Sequence, residues 1–228
     1  MTYQFLHLMQ IHDSAFPIGS YTQSFGMETY IQSDLVKDKK TLKEFCLSYL
    51  HGNLLTGDGL LVKEAYEKTL HKEWEQVEVL EKLCHGMKLA KESRDGSLMM
   101  GKQFFKAVSL LHPNGELAQL ETLWKDKERK GHYPIVYGAY AATMGFSKEE
   151  ALGAFLYSSV SGLIHNAVRS VPLGQSTGVE LIHELLPIFT EAAREIQSFT
   201  LEKLGNQAIG LELASMEHET LRTRLFIS

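Results

Sequence analysis

The sequence predicts an all-α protein, a single domain over residues 1–228 that folds as a helical bundle of about eight to ten helices. Three observations predict this class. Apolar residues recur three and four positions apart through most of the chain, no two segments alternate as a β-hairpin does, and no linker rich in Pro, Gly or Ser divides the chain. Hydrophobic residues make up 44% of the chain and charged residues 22%, which is typical of a protein with a packed core.

The first half of the chain carries a series of amphipathic patterns. Thr41-Leu42-Lys43-Glu44 has the form of a capping box, in which the first and fourth side chains bind free amides of a first helical turn. That helix is expected to end near Gly57 or Gly59. Further helices are predicted before the turn His112-Pro113-Asn114-Gly115, over the ranges Leu60 to Leu70, Trp74 to Leu89 and Glu92 to Leu111.

The second half begins with a charged segment, residues 116–130, that we expect to be exposed. Pro134 suits the first position of the next helix, and Gly145 can end that helix in the left-handed conformation. Ser147 opens a second capping box, and the helix after it is apolar nearly all round, which predicts a position in the middle of the bundle. Small residues on this helix, among them Gly153 and Gly162, leave room for close helix approach. The last helices are predicted from residue 178 to about 190 and from about 193 to 204.

Composition excludes several classes of function. The formal net charge of −5 gives no general attraction to nucleic acid or to an anionic membrane. No segment approaches the roughly 18 uninterrupted apolar residues of a membrane span, and the first residues lack the pattern of a signal peptide. Cys46 and Cys84 form no C-x-x-C pair, so neither a disulfide framework nor a thiolate zinc site is indicated. We therefore expect a cytoplasmic protein without a nucleic-acid or membrane partner.

The stretch DSAFPIGSYTQSFG, residues 13–26, has the composition of an active-site loop but not its patterns. It contains no lysine for a phosphate loop and no G-x-S-x-G for a serine hydrolase. Pro17 and Gly19 predict a turn between two helices, with Tyr21 and Phe25 four apart on one face of the second, where we expect them to contact a partner. The rival hypothesis is a helical hydrolase or metalloenzyme that uses the serines, Asp13 and the histidines of the N-terminal third.

Ten histidines make metal binding the next question. His183-Glu184 begins like a zincin motif, but Pro187 occupies the position of the second histidine. His218, within Glu217-His218-Glu219, is a candidate ligand for nickel or zinc in a polar terminus, and a solvated histidine is the alternative. Metal ligation therefore rests on His218 alone.

The C-terminal stretch, residues 215–228, combines apolar side chains with arginines. The apolar residues are Leu225, Phe226 and Ile227, and the arginines are Arg222 and Arg224. Apolar side chains at a free end either fold back onto the bundle or bind a partner, because leaving them in water costs free energy. We predict a binding segment that orders on contact, and we expect residues 1–12 and 215–228 to be flexible partner-binding termini.

Four segments, in this order along nearly the whole chain, resemble the UreF family of urease accessory proteins: DSAFPIGSYTQSFGMETY, ESRDGSLMMG, AVRSVPLGQSTG and SMEHETLRTRLFIS. The resemblance implies an all-α, non-enzymatic cytoplasmic homodimer that joins two other accessory proteins, the UreD/UreH scaffold and the GTPase UreG. Their complex is expected to act on apo-urease and to deliver nickel into it, so no tightly bound cofactor is implied for this chain. In that family UreG carries the phosphate loop, in agreement with its absence here.

The resemblance also implies roles for particular residues. Tyr21 and Arg169 match family positions near the dimer and GTPase-facing surface. The tail residues Arg222, Arg224, Leu225 and Phe226 match a segment expected to order against UreD/UreH or UreG. For Arg169 and Arg222, the alternative to a static partner contact is an arginine finger that stabilises the transition state of GTP hydrolysis. From the residues alone, Arg169 either grips a partner carboxylate or interacts with the end of its own helix.

Overall fold

The chain folds as a bundle of α-helices, which confirms the predicted class. The computed structural model describes residues 2–124 and 131–226, except for the side chain of Tyr21, and no β-strand occurs in these ranges. Two 3₁₀ segments, Ser20–Thr22 and Leu201–Lys203, and one π-helical segment, Leu50–Asp58, connect the helices. The helices are α1 (Tyr3–Ile11), α2 (Met27–Gln32), α3 (Lys39–Tyr49), α4 (Gly59–Leu70), α5 (Trp74–Met87), α6 (Lys91–Leu111), α7 (Ala118–Trp124), α8 (Tyr133–Thr143), α9 (Lys148–Ser170), α10 (Gln175–Ser198) and α11 (Ile209–His218). No helix in the described ranges has the length and apolar character that a membrane crossing requires.

Helix α8 lies at the centre of the bundle. Every residue from Tyr133 to Ala142 is buried, and the helix packs against α4 and α6. Pro134 lies in its first turn, as predicted, where a missing amide hydrogen costs nothing. A Cβ built on Gly138 would lie 2.4 Å from the carbonyl oxygen of Val62, so the backbones of α4 and α8 are in direct contact at their crossing.

The two longest helices, α9 and α10, pack against each other and against α4. Ser147 caps α9 as predicted, since its hydroxyl accepts a hydrogen bond from the Glu150 amide at 3.2 Å. The prediction that α9 lies in the middle of the bundle is confirmed in part, because α9 also packs against α2, α3 and α8. One stripe of it faces solvent, however, and its glycines do not make the predicted close contacts. Tyr157 is 38% exposed, and a Cβ on Gly153 or Gly162 would meet no atom within 4 Å, so these glycines make no close helix contact. Helix α8 takes the central position, and α9 keeps one side toward solvent.

Helix α3 begins three residues before the predicted start. Asp38 is its N-cap: the carboxylate accepts from the Thr41 amide at 2.8 Å, and the Thr41 hydroxyl accepts from the Asp38 amide at 3.1 Å. Thr41 therefore fills the last position of a capping box rather than the first. The chain then continues past Tyr49 as the π-helical segment, with non-helical backbone angles at Gly57, where the sequence predicts the end.

Two other segments also differ from the prediction. Helix α10 runs unbroken from Gln175 to Ser198 with Pro187 inside it, where the sequence predicts two helices. Its buried residues recur at helical spacing across the whole length, from Leu181 to Ile196, and this burial holds the helix together. The charged segment 116–130, predicted to be exposed, contains α7 with two buried leucines, while residues 125–130 lie outside the described ranges.

Buried lysines join separate parts of the bundle. The ammonium of Lys63 lies 2.9 Å from Glu64 and 3.1 Å from the carbonyl oxygen of Phe199, so it ties α4 to the end of α10. The ammonium of Lys88 lies 2.8 Å from each carboxylate oxygen of Asp58. Burial acts to lower the pKa of Lys88, but the attraction of Asp58 outweighs it and the pKa is raised. Both lysines are therefore charged and paired, as a buried charge has to be.

Candidate functional site at the C-terminal tail

The C-terminal tail folds back onto the bundle, and His218 is the centre of its contacts. Helix α11 packs on α2 and α6 and ends at His218, whose side chain is fully buried. Ring nitrogen Nε2 lies 2.9 Å from Glu28 on α2, and Nδ1 lies 2.6 Å from Glu92 on α6. A ring placed between two carboxylates donates to both when it carries the positive charge. His218 therefore joins three helices through one side chain.

A glycine brings α2 close enough to α11 for this contact. Gly26, just before α2, has φ of 84°, and a Cβ there would lie 2.9 Å from the carbonyl oxygen of Leu211. Only glycine combines this left-handed backbone with so close an approach. One helical turn into α2, the Thr29 hydroxyl donates to the Ala214 carbonyl at 2.8 Å, which fixes the two helices in register.

Glu28 holds the residues that follow α11. Its buried carboxylate accepts hydrogen bonds from the backbone amides of Leu225, at 2.7 Å, and Phe226, at 3.1 Å. Burial acts to raise the pKa of Glu28, but the hydrogen bond from His218 and those from the two amides outweigh it, and the pKa is lowered. The carboxylate is thus ionised in the docked state, and the docked tail supplies two of its hydrogen-bond donors.

Arg224 also holds the tail on the bundle, through Glu92 on α6. Its guanidinium donates to Glu92 at 2.7 Å and to the carbonyl oxygen of Leu221 at 3.3 Å. The side-chain amide of Gln32 donates to the Thr223 carbonyl at 2.9 Å, so α2 also contacts this turn. Glu92 therefore binds the side chains of His218 and Arg224, and Glu28 binds the backbone amides of the tail.

The four tail residues predicted to bind a partner divide into two pairs. Arg224 and Phe226 contact the bundle: Arg224 pairs with Glu92, and Phe226 is buried. Arg222 and Leu225 point outward, and Leu225 is 73% exposed. Of these four residues, Arg222 and Leu225 are the two whose side chains are free to contact a partner.

His218 is not the solvated histidine that the sequence suggests, and its ring has no free ligand position. Both nitrogens face carboxylates, so a metal would have to displace one of these hydrogen bonds. Across residues 2–124 and 131–226, no three His, Cys, Asp or Glu side chains are grouped so as to hold a metal ion. The geometry favours a structural role for His218.

The opening stretch does not place Tyr21 and Phe25 on one helix face, and that prediction is wrong. Residues 20–22 form a 3₁₀ segment, and α2 starts only at Met27. Phe25 lies between them in the left-handed conformation, with φ of 48°, and its ring stacks on Tyr49 at 6.3 Å. A left-handed aromatic residue is rare, so the chain path here is held by its surroundings. The side chain of Tyr21 lies outside the described part of the structure.

Arg169 lies in a recess between the last turns of α9 and the opening stretch. The recess is also lined by Asp13, Ser14 and His165. Arg169 and His165 are exposed and one helical turn apart, and within the described chain neither forms an ion pair. In the same turn of α9, the side-chain amide of Asn166 donates a hydrogen bond to the Gln23 carbonyl at 2.9 Å and so anchors the opening stretch to α9. The structure thus brings Arg169 together with the opening stretch, and no described residue of the tail lines this recess.

The carboxylates that hold the tail carry no sign in the sequence. Glu28 and Glu92 each lie in the first turn of a helix, where an acidic residue commonly interacts with the helix dipole. Their contacts with His218 join positions 190 and 126 residues apart. Local pattern therefore predicts the helices but not the network between them.

Comparison with known proteins finds relatives that match almost the whole chain. The family model described as UreF matches residues 36–186. The urease accessory protein UreF of Sporosarcina pasteurii is 45% identical over 206 residues, which is 89% of this chain and 100% of that protein. The proteins of the same name from Bacillus sp. (strain TB-90) and Geobacillus kaustophilus are 37% and 36% identical, with 98% and 99% of this chain and 98% of each relative covered. The chain therefore belongs to the UreF family.

Proposed function

We propose that this protein acts in urease maturation as a non-enzymatic cytoplasmic scaffold that bridges a UreD/UreH protein and the GTPase UreG. The complex inserts nickel into apo-urease, and the scaffold itself is a homodimer that binds no metal tightly. Support comes from relatives named urease accessory protein UreF that match 89% or more of the chain. The observation that carries the proposal is the docked tail, which presents Arg222 and Leu225 on a fixed base.

A fixed base favours partner binding because the tail does not have to be ordered first. Immobilising a rotamer-rich side chain or loop on binding costs affinity. Here Glu28 and Glu92 already hold the tail backbone and Arg224. The exposed pair then combines an apolar side chain with a guanidinium, which suits a partner surface that has an apolar pocket beside a carboxylate.

A bridging protein needs a second surface, and the recess around Arg169 supplies a candidate. Its exposed Arg169 and His165 have no ion-pair partner in the described chain and lie at the opposite end of the opening stretch from the tail. We assign this recess, with the backbone segment that carries Tyr21, to UreG and to the dimer contact, and the tail to UreD/UreH. A static contact suffices for Arg169, since no arginine finger is needed to explain an exposed cation at a protein interface.

The test measures binding of each partner to surface variants of the full-length chain. The double variant Arg222→Ala, Leu225→Ala is expected to bind UreD/UreH at least tenfold more weakly than the wild type does. The variant Arg169→Ala tests the recess, and its readout is the recruitment of UreG to a preformed complex. Arg194→Ala is the matched control, because Arg194 is an exposed arginine whose only ion pair is with exposed Glu149, among the described residues. If the tail variant binds both partners as the wild type does, the proposed bridging surface is wrong.

One observation bears on the rival hydrolase. His12 lies 3.0 Å from the Ser158 hydroxyl, the arrangement of a base and a nucleophile. Burial lowers the pKa of His12 to about 3, however, so its ring is too weak a base to activate a serine near neutral pH. Ser14, the serine named in that hypothesis, is exposed and forms no hydrogen bond with a histidine in the described chain. Ester or amide turnover that disappears in Ser158→Ala without loss of fold would favour the hydrolase.

A direct nickel carrier is tested separately. Equilibrium dialysis of the wild type and His218→Ala against nickel is expected to give the same binding curve, because both ring nitrogens are already bound to carboxylates. Loss of a stoichiometric site in the variant would assign His218 to nickel instead.

A further inference from the structure

Helix α1 is fastened to the central helix α8 by histidine–tyrosine hydrogen bonds. Nε2 of His7, in the middle of α1, lies 2.5 Å from the Tyr140 hydroxyl. Nε2 of His112, just after α6, lies 2.9 Å from the same oxygen. One tyrosine hydroxyl thus connects three helices through two imidazole rings.

A second pair holds the C-terminal end of α1. Nε2 of His12 lies 2.8 Å from the Tyr137 hydroxyl, and Nδ1 lies 3.0 Å from the Ser158 hydroxyl on α9. Tyr137 donates its own proton to the Ala151 carbonyl at 2.8 Å, so its oxygen accepts from Nε2–H of His12. A neutral ring then leaves Nδ1 as an acceptor for the Ser158 hydroxyl, whereas a charged ring leaves that hydroxyl only the Phe155 carbonyl, at 3.1 Å, as an acceptor.

Little else holds α1 in place. Only three of its residues are buried, His7, Leu8 and Ile11, and four large apolar residues of the helix are exposed, Tyr3, Phe5, Leu6 and Met9. The helix has no charged residue, so no ion pair contributes to its docking. The histidine contacts are therefore a large share of what keeps α1 on the bundle.

We propose that His7 and His12 make the docking of α1 sensitive to pH, so that the helix stays on the bundle near neutral pH and detaches in mild acid. Detachment would remove one wall of the recess that contains Arg169, because Ile11 and His12 line it. The inference concerns the N-terminal helix alone and does not depend on which partner binds the recess.

The surroundings of the two rings favour the neutral form. Burial lowers the pKa of His12 to about 3. Burial also lowers the pKa of His7, opposed by the hydrogen bond that Nδ1 donates to the Gln10 side-chain oxygen and assisted by the nearby His112.

No carboxylate is placed to stabilise an imidazolium at either ring. The titratable groups around His7 are Tyr3, His112 and Tyr140. Those around His12 are Tyr137 and, in the shared recess, Asp13, His165 and Arg169. Asp13 is already an acceptor for the Ala15 amide at 2.7 Å, and Arg169 carries the wrong charge.

The direction and size of the effect follow from linkage. A histidine with an ordinary pKa of about 6.5 when α1 is detached, and a lower one when it is docked, takes up a proton on detachment in acid. The docked state of α1 is therefore most stable above the ordinary pKa, and its stability decreases as pH falls below that value. For His12, whose docked pKa is about 3, the detached fraction rises about tenfold between pH 7.5 and 5.5. His7 acts in the same direction and adds to this factor.

Hydrogen exchange of the full-length protein tests the proposal. Peptides covering residues 2–12 are compared with peptides from α8 at pH 7.5 and 5.5, with rates corrected for the intrinsic effect of pH. We expect protection in α1 to fall at least tenfold at pH 5.5 while α8 stays protected. Equal protection of α1 at the two pH values, or equal loss in α1 and α8, overturns the proposal.

Glutamine variants separate titration from packing, since glutamine offers a donor and an acceptor but does not titrate. His12→Gln is expected to remove the tenfold change that His12 contributes, and His7→Gln with His12→Gln to make α1 protection independent of pH in this range. His183→Gln is the control, because His183 is exposed on α10 and should leave the wild-type response unchanged. If the double variant folds and keeps the full response, the histidines of α1 are not its cause. If the variant fails to fold, the comparison of α1 with α8 in the wild type still decides the proposal.

Discussion

Replacing Glu28 by glutamine should release the C-terminal tail without unfolding the bundle. The carboxylate accepts four hydrogen bonds: from His218 at 2.9 Å, from the Leu225 and Phe226 amides at 2.7 and 3.1 Å, and from Gln32 at 3.4 Å. Glutamine keeps one oxygen and turns an amide nitrogen toward the donors of the other. Since each oxygen accepts two of the four bonds, at least two are lost together with the negative charge beside His218.

The expected magnitude is about 3 kcal/mol, since a hydrogen bond to a charged group contributes roughly 1.5 kcal/mol or more and two are removed. This equals a change of about 100-fold in the equilibrium between docked and detached tail. The loss appears in the tail first because residues after α11 can leave Glu28 while the contacts of α8 and α9 stay in place. The free energy of global unfolding should fall by less than the local value.

The assay is hydrogen exchange at pH 7 on peptides covering residues 219–226, compared with peptides from α8. Glu44→Gln is the matched control, a glutamate-to-glutamine change at a side chain that is 62% exposed and paired only with exposed Lys40 in the described chain. Tail protection in Glu28→Gln within twofold of wild type would show that the carboxylate does not hold the tail.

A pH series adds an independent check on Glu28. Its pKa is lowered in the docked state, so the stability it contributes is present above the ordinary value of 4.5 and is lost as pH falls below that value. Wild-type tail protection should therefore decline below pH 4.5, and the glutamine variant should lack this decline. A decline of equal size in both proteins would assign the acid response to another group.

Three further predictions concern the bundle itself. Burial raises the pKa of Glu81 to about 8, although hydrogen bonds from the His132 amide and the Trp124 indole act to lower it. In a Trp74→Phe background, Trp124 fluorescence should therefore change with a midpoint near pH 8, and this change should be absent when Glu81→Gln is added. Because this pKa is raised from 4.5, stability should fall by about 1.4 kcal/mol per pH unit from pH 4.5 to 8, a slope that urea unfolding should find absent in Glu81→Gln. Gly138→Ala should cost about 1–3 kcal/mol in urea unfolding, whereas Gly153→Ala, with open space around its Cβ, should be neutral or stabilise by up to about 1 kcal/mol. Lys63→Met should cost about 3 kcal/mol in urea unfolding because it leaves the buried Glu64 carboxylate without its cationic partner.

Local chemistry predicted the helices where a few neighbouring residues decide the outcome. Ser147 caps α9 because its own hydroxyl reaches the amide three residues on, and Pro134 suits a first turn in any fold. The same logic gave the wrong start for α3, since Asp38 competes with Thr41 for the cap and the carboxylate is the better acceptor. It also predicts a break between about residues 190 and 193, where the continuous apolar stripe of α10 keeps the helix intact.

Position within the bundle was harder to predict than helix formation. The apolar character of α9 suggested a central helix, but α8 is the one buried along its whole length. Both sequences are rich in apolar and small residues, and periodicity does not reveal the tight crossing at Gly138 that brings the backbone of α8 against α4. The exposed side of α9 instead carries Tyr157, His165 and Arg169, and surface chemistry of this kind is what periodicity alone assigns poorly.

The opening stretch explains why the tail network could not be predicted from the tail. Its glycines and the left-handed Phe25 set the direction in which α2 begins, and Gly26 brings α2 against the α11 backbone. That approach places Glu28 under residues nearly two hundred positions later, where it meets His218 and the two tail amides. Residues 13–26 therefore act through geometry, by fixing an acceptor for the tail on one side and a wall of the Arg169 recess on the other. A segment with the composition of an active site is, in this fold, the part that holds two separate surfaces in a fixed relation.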